Sequence, residues 1–559
     1  MKIRNYRNIL FFALLIGLIA ISFFYFFRVD LTSDKRYSIA DQTKNLMSGI
    51  ENPLEVTVYL DGDLNPSFLR LKKSTAELLD ELSIYSQKSI NIHYVNPSLA
   101  DTPEERERKY NELAGRGLIP TAVYERDKEG KSIQKVIFPW IEIGYNGKKV
   151  AVCLLKNILG NSGEENLNIS IENLEFEITD GIRRAINTEV RKIAFIEGHG
   201  ELSAAETYDI THSLAHYFQI DRGILGNNAA ILKDYKAIII AKPTQPFSES
   251  DKFIIDQYIM HGGNVLWLLD GVRIAKENLS TSGLSPAMEL DLNLNDKLFR
   301  YGIRINPVLL QDVQCTSIPV NIAPIGATPK FEASPWYYSP LLLASPEHPV
   351  TRNITQVKSE FCSGIDLVGD NKQVKSQVLL VTSDNTHIVG TPTTIDINQT
   401  PKVNDKNYFN LGYVPVAVAM EGHFDSDFAN RMTPKGMTGV LPALEKSKFS
   451  RQIVVADGDI IRNETANDST PIPLGFDRYM NQQYGNKDFI QNAVLYLTDN
   501  DGWMELRNRT LKLRLLNKKI TSSDQTIWQL INVLIPIGML ILIGIGYQIV
   551  RKRKYTKVK

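Results

Sequence analysis

Two uncharged apolar stretches, one near each end, constrain this chain more than anything between them. Residues 9–27 are apolar except for Ser22 and the hydroxyl of Tyr25. At about 1.5 Å rise per residue they nearly match a hydrocarbon core about 30 Å thick. Residues 527–550 are also uncharged and long enough, although Gln529, Asn532, Pro536 and Gln548 make them more polar. Proline and glycine are tolerated in a membrane helix where neighbours satisfy the freed backbone groups, which points to a partner helix. The first apolar run leads straight into Phe26, Phe27 and Arg28 with no small-residue cleavage site, so an uncleaved anchor is expected.

Two spans put both termini on one side of the membrane. Long loops translocate largely regardless of charge, so the short tails decide the orientation. Lys2, Arg4 and Arg7 at one end, and the tail 551–559 with Arg551, Lys552, Arg553, Lys554, Lys557 and Lys559 at the other, are expected to stay in the cytoplasm. The central region is then periplasmic, tethered to the inner membrane, and far larger than one typical domain. Lysines plus arginines number 63 and aspartates plus glutamates 63, which argues against a nucleic-acid binder relying on a basic field. Cys153, Cys315 and Cys362 are odd in number and widely spaced, so neither a disulfide framework nor a Cys-rich zinc site follows.

After the first span and tail (1–28), residues 54–60 (LEVTVYL) alternate as a strand does. Residues 67–87 carry apolar side chains at helical spacing, and 90–95 (INIHYV) is again a strand, making a βαβ unit. A charged helix over 102–113 follows, then a strand over 119–125, a hairpin of 135–143 with 148–155 turning at Asn146-Gly147, and a helix over about 170–187. This order, with a proline at the start of the third strand (Ile119-Pro120-Thr121), resembles the thioredoxin fold over 45–188. In that family the equivalent proline is cis and faces a redox dithiol just after the first strand. Here that position reads Asp61-Gly62-Asp63-Leu64-Asn65-Pro66, without cysteine, so the resemblance implies the fold without the chemistry.

A second unit is expected over 190–500. Residues 192–196 (KIAFI), 236–241 (KAIIIA) and 264–269 (NVLWLL) are near-continuous apolar strands, separated by predicted helices over 204–217 and 249–261. That pattern predicts a parallel, doubly wound sheet covered on both faces. It is interrupted by an irregular insertion at about 272–374, and it resumes with strands at 378–382, 414–420 and 452–456 and a helix at 487–497. Residues 503–526 form a basic juxtamembrane segment. It reads either as a helix on anionic headgroups or as a linker helix packing on the domain.

Few residue patterns carry chemistry. Gly130-Lys131-Ser132 lacks the earlier glycine and the following helix of a P-loop, so any ATP hydrolysis must come from another chain. His212 and His216 have zinc-ligand spacing, but Ser213 stands where a metalloprotease needs glutamate. No nucleophile elbow occurs at a strand-to-helix turn. The best candidate is Glu197-Gly198-His199-Gly200-Glu201, because ligands of open α/β sheets sit beyond the carboxyl ends of strands. On one reading His199 binds a ligand or moves a proton, with Glu201 or Asp270 fixing its tautomer, as a membrane-tethered hydrolase would require. On the other, the glycines make a tight turn and Glu201 supplies negative charge at a helix N-terminus.

The whole chain resembles the auxiliary proteins of the gliding-motility ABC transporter, the GldG family of Bacteroidetes. The likeness rests on Leu31 through Ser38, the Glu197-Gly198-His199-Gly200-Glu201 turn, His261-Gly262-Gly263-Asn264, Val455-Ala456-Asp457-Gly458-Asp459, and Asn486-Lys487-Asp488-Phe489 onward, in that order between two spans. The resemblance implies a multi-span ABC permease as partner, a separate cytoplasmic ATPase, and contacts with envelope proteins. Its second domain is also similar to a glutamine-amidotransferase-like (flavodoxin-like) sheet whose catalytic cysteine has no counterpart here. The expectation is a non-enzymatic subunit without a cofactor, its ligand contacts, if any, at Glu197, His199, Glu201 and Asp270.

Overall fold

The computed structural model describes residues 38–126, 132–158, 160–187, 191–321, 323, 328–369, 373–397, 407–439, 443–466, 470–508 and 525–555. The expected first span at 9–27, residues 130–131 and most of the basic segment 503–526 lie outside the described residues.

After a short helix, α1 (Asp41–Ser48), the first layer opens with β1 (Leu54–Val58), in which Leu54, Val56 and Val58 are buried and Glu55 is exposed. Helix α2 (Pro66–Tyr85) begins where the Asn65 side chain accepts the Phe68 amide at 2.9 Å and Pro66 takes the first turn. Then come β2 (Ile90–Tyr94), α3 (Pro103–Gly115), β3 (Thr121–Arg126), β4 (Ser132–Ile137), β5 (Trp140–Tyr145), β6 (Lys148–Cys153) and α4 (Gly163–Ile186). A reciprocal Ser162–Glu165 capping box starts α4. The sheet order is β2-β1-β5-β6, with β1 parallel to β2 and antiparallel to β5. Asn146 and Gly147 both have positive φ, 48° and 83°, as a two-residue β5–β6 turn requires.

Two expectations are corrected here. The strand at 119–125 is not the third strand of this sheet: β3 pairs only with β4, and β5 takes its place. The single strand expected over 135–143 is broken between Ile137 and Trp140, where Pro139 offers no amide to a ladder. Among the described residues the one cis peptide is Thr391–Pro392, so Ile119–Pro120 is trans.

The second sheet has ten strands. It uses β7 (Lys192–Glu197), β8 (Gln219–Ile224), β9 (Ala237–Ala241), β10 (Asn264–Leu268), β11 (Cys315–Asn321), β12 (Phe331–Ala344), β13 (Val374–Val381), β14 (Pro415–Gly422) and β15 (Ser450–Val455), with Gln356–Lys358 pairing on β12. Strands β8-β7-β9-β10-β15 are parallel neighbours. Beyond β15 the sheet continues through β14, β13, β12 and β11, all antiparallel, so it is mixed rather than wholly parallel.

Alternate residues of the parallel strands feed two cores. On one face Ile193, Phe195, Ile239 and Leu266 pack with Ile210 and Leu214 of α5 (Tyr208–Leu214) and with Phe489, Ala493 and Val494 of a later helix. On the other, Ala194, Ile196, Ile240 and Trp267 pack with Ile254, Ile255 and Ile259 of α6 (Glu249–Met260). The later helix is α7 (Asn486–Leu497).

The stretch expected to be an irregular insertion with its own strands shares some of them with the main sheet. Its strands β11 and β12 extend the main sheet, while Val272–Ile274 and Leu284–Glu289 recruit Thr393–Asp396 from beyond the expected boundary. Helix α4 ties the two sheets together: its Ile178 and Ile182 face the first core, whereas Phe176 packs 5.7 Å from the Trp503 ring in the second. The described residues from Ser38 to Asn508 accordingly form one compact unit. The last helix, α8 (Gln525–Tyr555), belongs to a second unit. Over Ile527–Arg553 it is long and apolar enough to cross a membrane, which is what an anchor needs.

Candidate functional site at the strand ends

The chain leaves β7 toward β8 on one side, while β9 lies on the other, so the turn after β7 occupies the switch point of the parallel strands. Gly198 and Gly200 make that turn at φ values of 115° and 74°. A Cβ on Gly200 would stand 2.1 Å from Thr244 Oγ1, because the loop after β9 folds over the turn. Two amides of that loop, Thr244 N at 2.8 Å and Gln245 N at 2.9 Å, donate to the His199 carbonyl.

The His199 side chain is buried and stacked on Phe247, ring centres 3.7 Å apart. Its Nδ1 lies 3.0 Å from Glu201 Oε1 and its Nε2 3.3 Å from Asp251 Oδ2, while Glu201 Oε2 accepts the His199 amide at 2.7 Å. Burial works against a charged ring. The hydrogen bonds and charges of Asp251 and Glu201 outweigh it and raise the pKa from 6.5 to about 9. At neutral pH both ring nitrogens therefore donate, and no lone pair remains to accept a proton.

Of the residues expected to meet here, Glu201 does and Asp270 does not. Asp270, after β10, lies 3.3 Å from Lys242 Nζ and accepts the Gly458 amide at 2.6 Å. Its anticipated place on the imidazole is taken by Asp251 in the first turn of α6, capped by Ser248 at 3.2 Å. The Ser248-Glu249-Ser250-Asp251 spacing carries a capping signal that marks this helix start in the sequence. Glu197 points elsewhere: it accepts from Arg222 Nε at 2.7 Å, and the same guanidinium holds Thr207 Oγ1 and the Leu202 carbonyl. Rings of His212 and His216 lie edge to face, 5.5 Å apart.

Beside the turn runs a chain of ion pairs. Lys242, at the end of β9, also binds Asp459 after β15, and Lys276 reaches Asp459 at 3.1 Å and Glu360 at 2.5 Å. Burial alone would push the Asp459 carboxyl up, but Lys276 and Lys242 hold it below the usual range. Burial, with Asp459 and Asp270 nearby, raises Asp457 well above it. A cleft of about 340 Å³ opens here, lined by Lys276, Arg462, Lys358, Glu206 and Glu464 among others. Arg462 pairs with Glu206 at 2.9 Å and Lys358 with Glu464 at 3.3 Å. Charges at the strand ends thus neutralise one another.

A family model for an ABC-type uncharacterized transport system matches residues 190–493, which contain the turn, the strand ends and the cleft. The chain belongs to this family. Membership associates it with an ABC transport system as an accessory component. A domain of unknown function (DUF7088) matches residues 33–144. A protein of Borreliella burgdorferi described as uncharacterized is 20% identical over 538 residues, covering 94% of each chain. Among solved structures, the mmIFT52 N-terminal domain aligns with a TM-score of 0.32 and 14% identity, over 56% of this chain and 98% of that one. The exo-beta-1,4-mannosidase Op5Man5 from Opitutaceae bacterium strain TAV5 aligns at 0.21 and 11%, over 77% and 50%.

Proposed function

We propose that this auxiliary protein is a non-enzymatic, extracytoplasmic subunit of an ABC transporter complex. It is held by two membrane helices beside a multi-span permease that a separate cytoplasmic ATPase drives, and it serves gliding motility through contacts with envelope proteins. The family match over 190–493 supports the transporter association. The observation that carries the non-enzymatic reading is the state of His199: its two nitrogens are engaged by Glu201 and Asp251, so the most reactive group at the switch point holds its loops together. In fold terms the proposal is a thioredoxin-like layer without a dithiol followed by a doubly wound, amidotransferase- or flavodoxin-like layer. The order β2-β1-β5-β6 and the parallel order β8-β7-β9-β10-β15 support those two assignments.

Affinity purification of the full chain from detergent-solubilised membranes tests the proposal. A multi-span permease and an ATPase should co-purify in fixed ratio. Recovery of the chain alone under conditions that keep other membrane complexes intact would refute the subunit role. Activity lost in a folded, permease-bound His199→Ala protein would instead favour the membrane-tethered hydrolase.

A further inference from the structure

Helix α8 gathers polar residues of its apolar stretch on one side. At about 3.6 residues per turn, Gln529, Asn532 and Pro536 fall within an arc of about 60°. All three are exposed, and over Ile527–Arg553 nothing in the structure covers the helix. The carboxamides of Gln529 and Asn532 make no hydrogen bond among the described residues. Pro536 adds another unpaired group to the same stripe. Proline has no amide hydrogen, so the carbonyl four residues earlier, that of Asn532, loses its intrahelical donor. Asn532 lies about 10 Å from the middle of residues 527–550, inside a hydrocarbon half-layer of about 15 Å. Once α8 spans, lipid offers these groups no partner.

The demand at Asn532 is self-complementary. Its side chain offers two N–H donors, and two acceptors stand beside them, the side-chain oxygen and the freed main-chain carbonyl. Donor and acceptor dipoles therefore balance at one level of one helix. A second copy of α8 meets that demand as it stands. Two copies cross one membrane in the same direction, so their Asn532 residues come to the same depth, and about a twofold axis along the membrane normal each carboxamide donates to the acceptors of the other. Gln529, about one turn away, meets its own equivalent in the same way. A helix of another protein would need an amide-bearing residue of its own at that depth. The opposite side, with Leu534, Ile541 and Ile545, is apolar and stays free for lipid or the permease.

We infer that α8 pairs with α8 of a second copy of this chain through Gln529 and Asn532, making the protein a dimer within the membrane. The inference rests on α8 crossing the membrane and is independent of the transporter assignment. Photo-cross-linking of the full chain in its own membranes tests it. p-Benzoylphenylalanine placed at Ile543, which falls in the arc of the stripe, should give an adduct of twice the chain mass. Placed at Ile541, roughly 160° round the helix, it should give at least about threefold less.

With the probe at Ile543, Asn532→Leu should cut the dimer adduct at least about threefold at equal membrane content of the chain. Asn532→Gln, which keeps the carboxamide, should lower it less. If Asn532→Leu does not accumulate in the membrane, Gln529→Leu carries the same comparison. An adduct of another mass at Ile543 would give the stripe to a different partner, such as the permease, and would overturn the inference. So would the absence of any dimer-mass adduct, equal adducts from Ile541 and Ile543, or equal losses in Asn532→Leu and Asn532→Gln.

Discussion

His199 is the residue on which the proposed non-enzymatic reading turns, because Glu201 and Asp251 engage both of its ring nitrogens. Its folded pKa of about 9 lies above the 6.5 of a free imidazole. The ion pairs therefore contribute stability that is complete below about 6.5 and lost as pH rises through about 9. A shift of that size is worth up to about 3 kcal/mol. His199→Gln should thus destabilise the protein by that order at about pH 6 and much less at about pH 10, read by denaturant unfolding of both proteins. Equal losses at the two pH values would show that packing on Phe247, and not charge, holds the ring. The neighbouring glycine gives the sharper contrast. Gly200→Val must place a β-branched residue at φ 74° with its Cβ against Thr244 Oγ1, at a cost of roughly 1–3 kcal/mol from backbone strain. His199→Ala is expected to stay folded and at least partly active in complementation, whereas Gly200→Val should lose both stability and activity. A Gly200→Val protein with wild-type unfolding behaviour would sink the structural reading of the turn.

At the scale of elements, α4 is the piece on which both layers depend. Gly181 lets it lie against β5 and β6: a Cβ there would meet Val152 Cγ2 at 2.3 Å and Ile143 Cδ1 at 2.9 Å. Alanine is favoured over glycine inside a helix by about 1 kcal/mol, so propensity and packing pull in opposite directions. Packing should win, because Val152 and Ile143 are themselves buried and have no room to retreat. Gly181→Ala is expected to lower the denaturant midpoint, and a raised midpoint would mean that the helix can lift from the sheet at little cost.

Elements with strong apolar pattern were legible in the sequence: β1, α2, β9, β10 and α7 begin and end within about two residues of expectation. Strand β8 was not. It is an edge strand reading QIDRGI, with Asp221 and Arg222 in its middle, and edge strands need no apolar run. Helix α5 starts later than its pattern because Ser203 and Glu206 bond to each other and hold the preceding turn. The turn 197–201 was legible from its glycines and its place after a strand. Which carboxylate completes His199 was not, since strand-end logic puts Asp251 and Asp270 near the same crevice without choosing between them.

For the molecule as a whole, function should rest on fold, assembly and orientation and not on thiol chemistry. Burial pushes the Cys315 thiol up to about 12 and Cys153 and Cys362 above their ordinary values as well, so none is a ready thiolate at neutral pH. Replacing all three by alanine should preserve complementation, with a stability loss of roughly 1 kcal/mol or more from the fully buried Cys362. Inactivity of the folded triple variant would reopen a redox role. Orientation is the larger commitment. The two tails hold nine of the 63 lysines and arginines and none of the 63 aspartates and glutamates, so the central region is net acidic and gives the cytoplasm little to retain, whereas Arg551, Lys552 and Arg553 directly follow the apolar part of α8 and are costly to carry across. On the proposed two-span topology both tails would remain inside and both sheets would stand outside. A reporter active only outside the cytoplasm, fused near Gly369 in the second sheet domain, should therefore be active, and the same reporter fused after Lys559 should be silent. An active fusion after Lys559 with a silent one at Gly369 would reverse the topology. Active fusions at both positions would mean that the C-terminal helix does not cross, leaving the first span as the one anchor of the two expected, and would remove the basis for a subunit clasped to its permease from both ends.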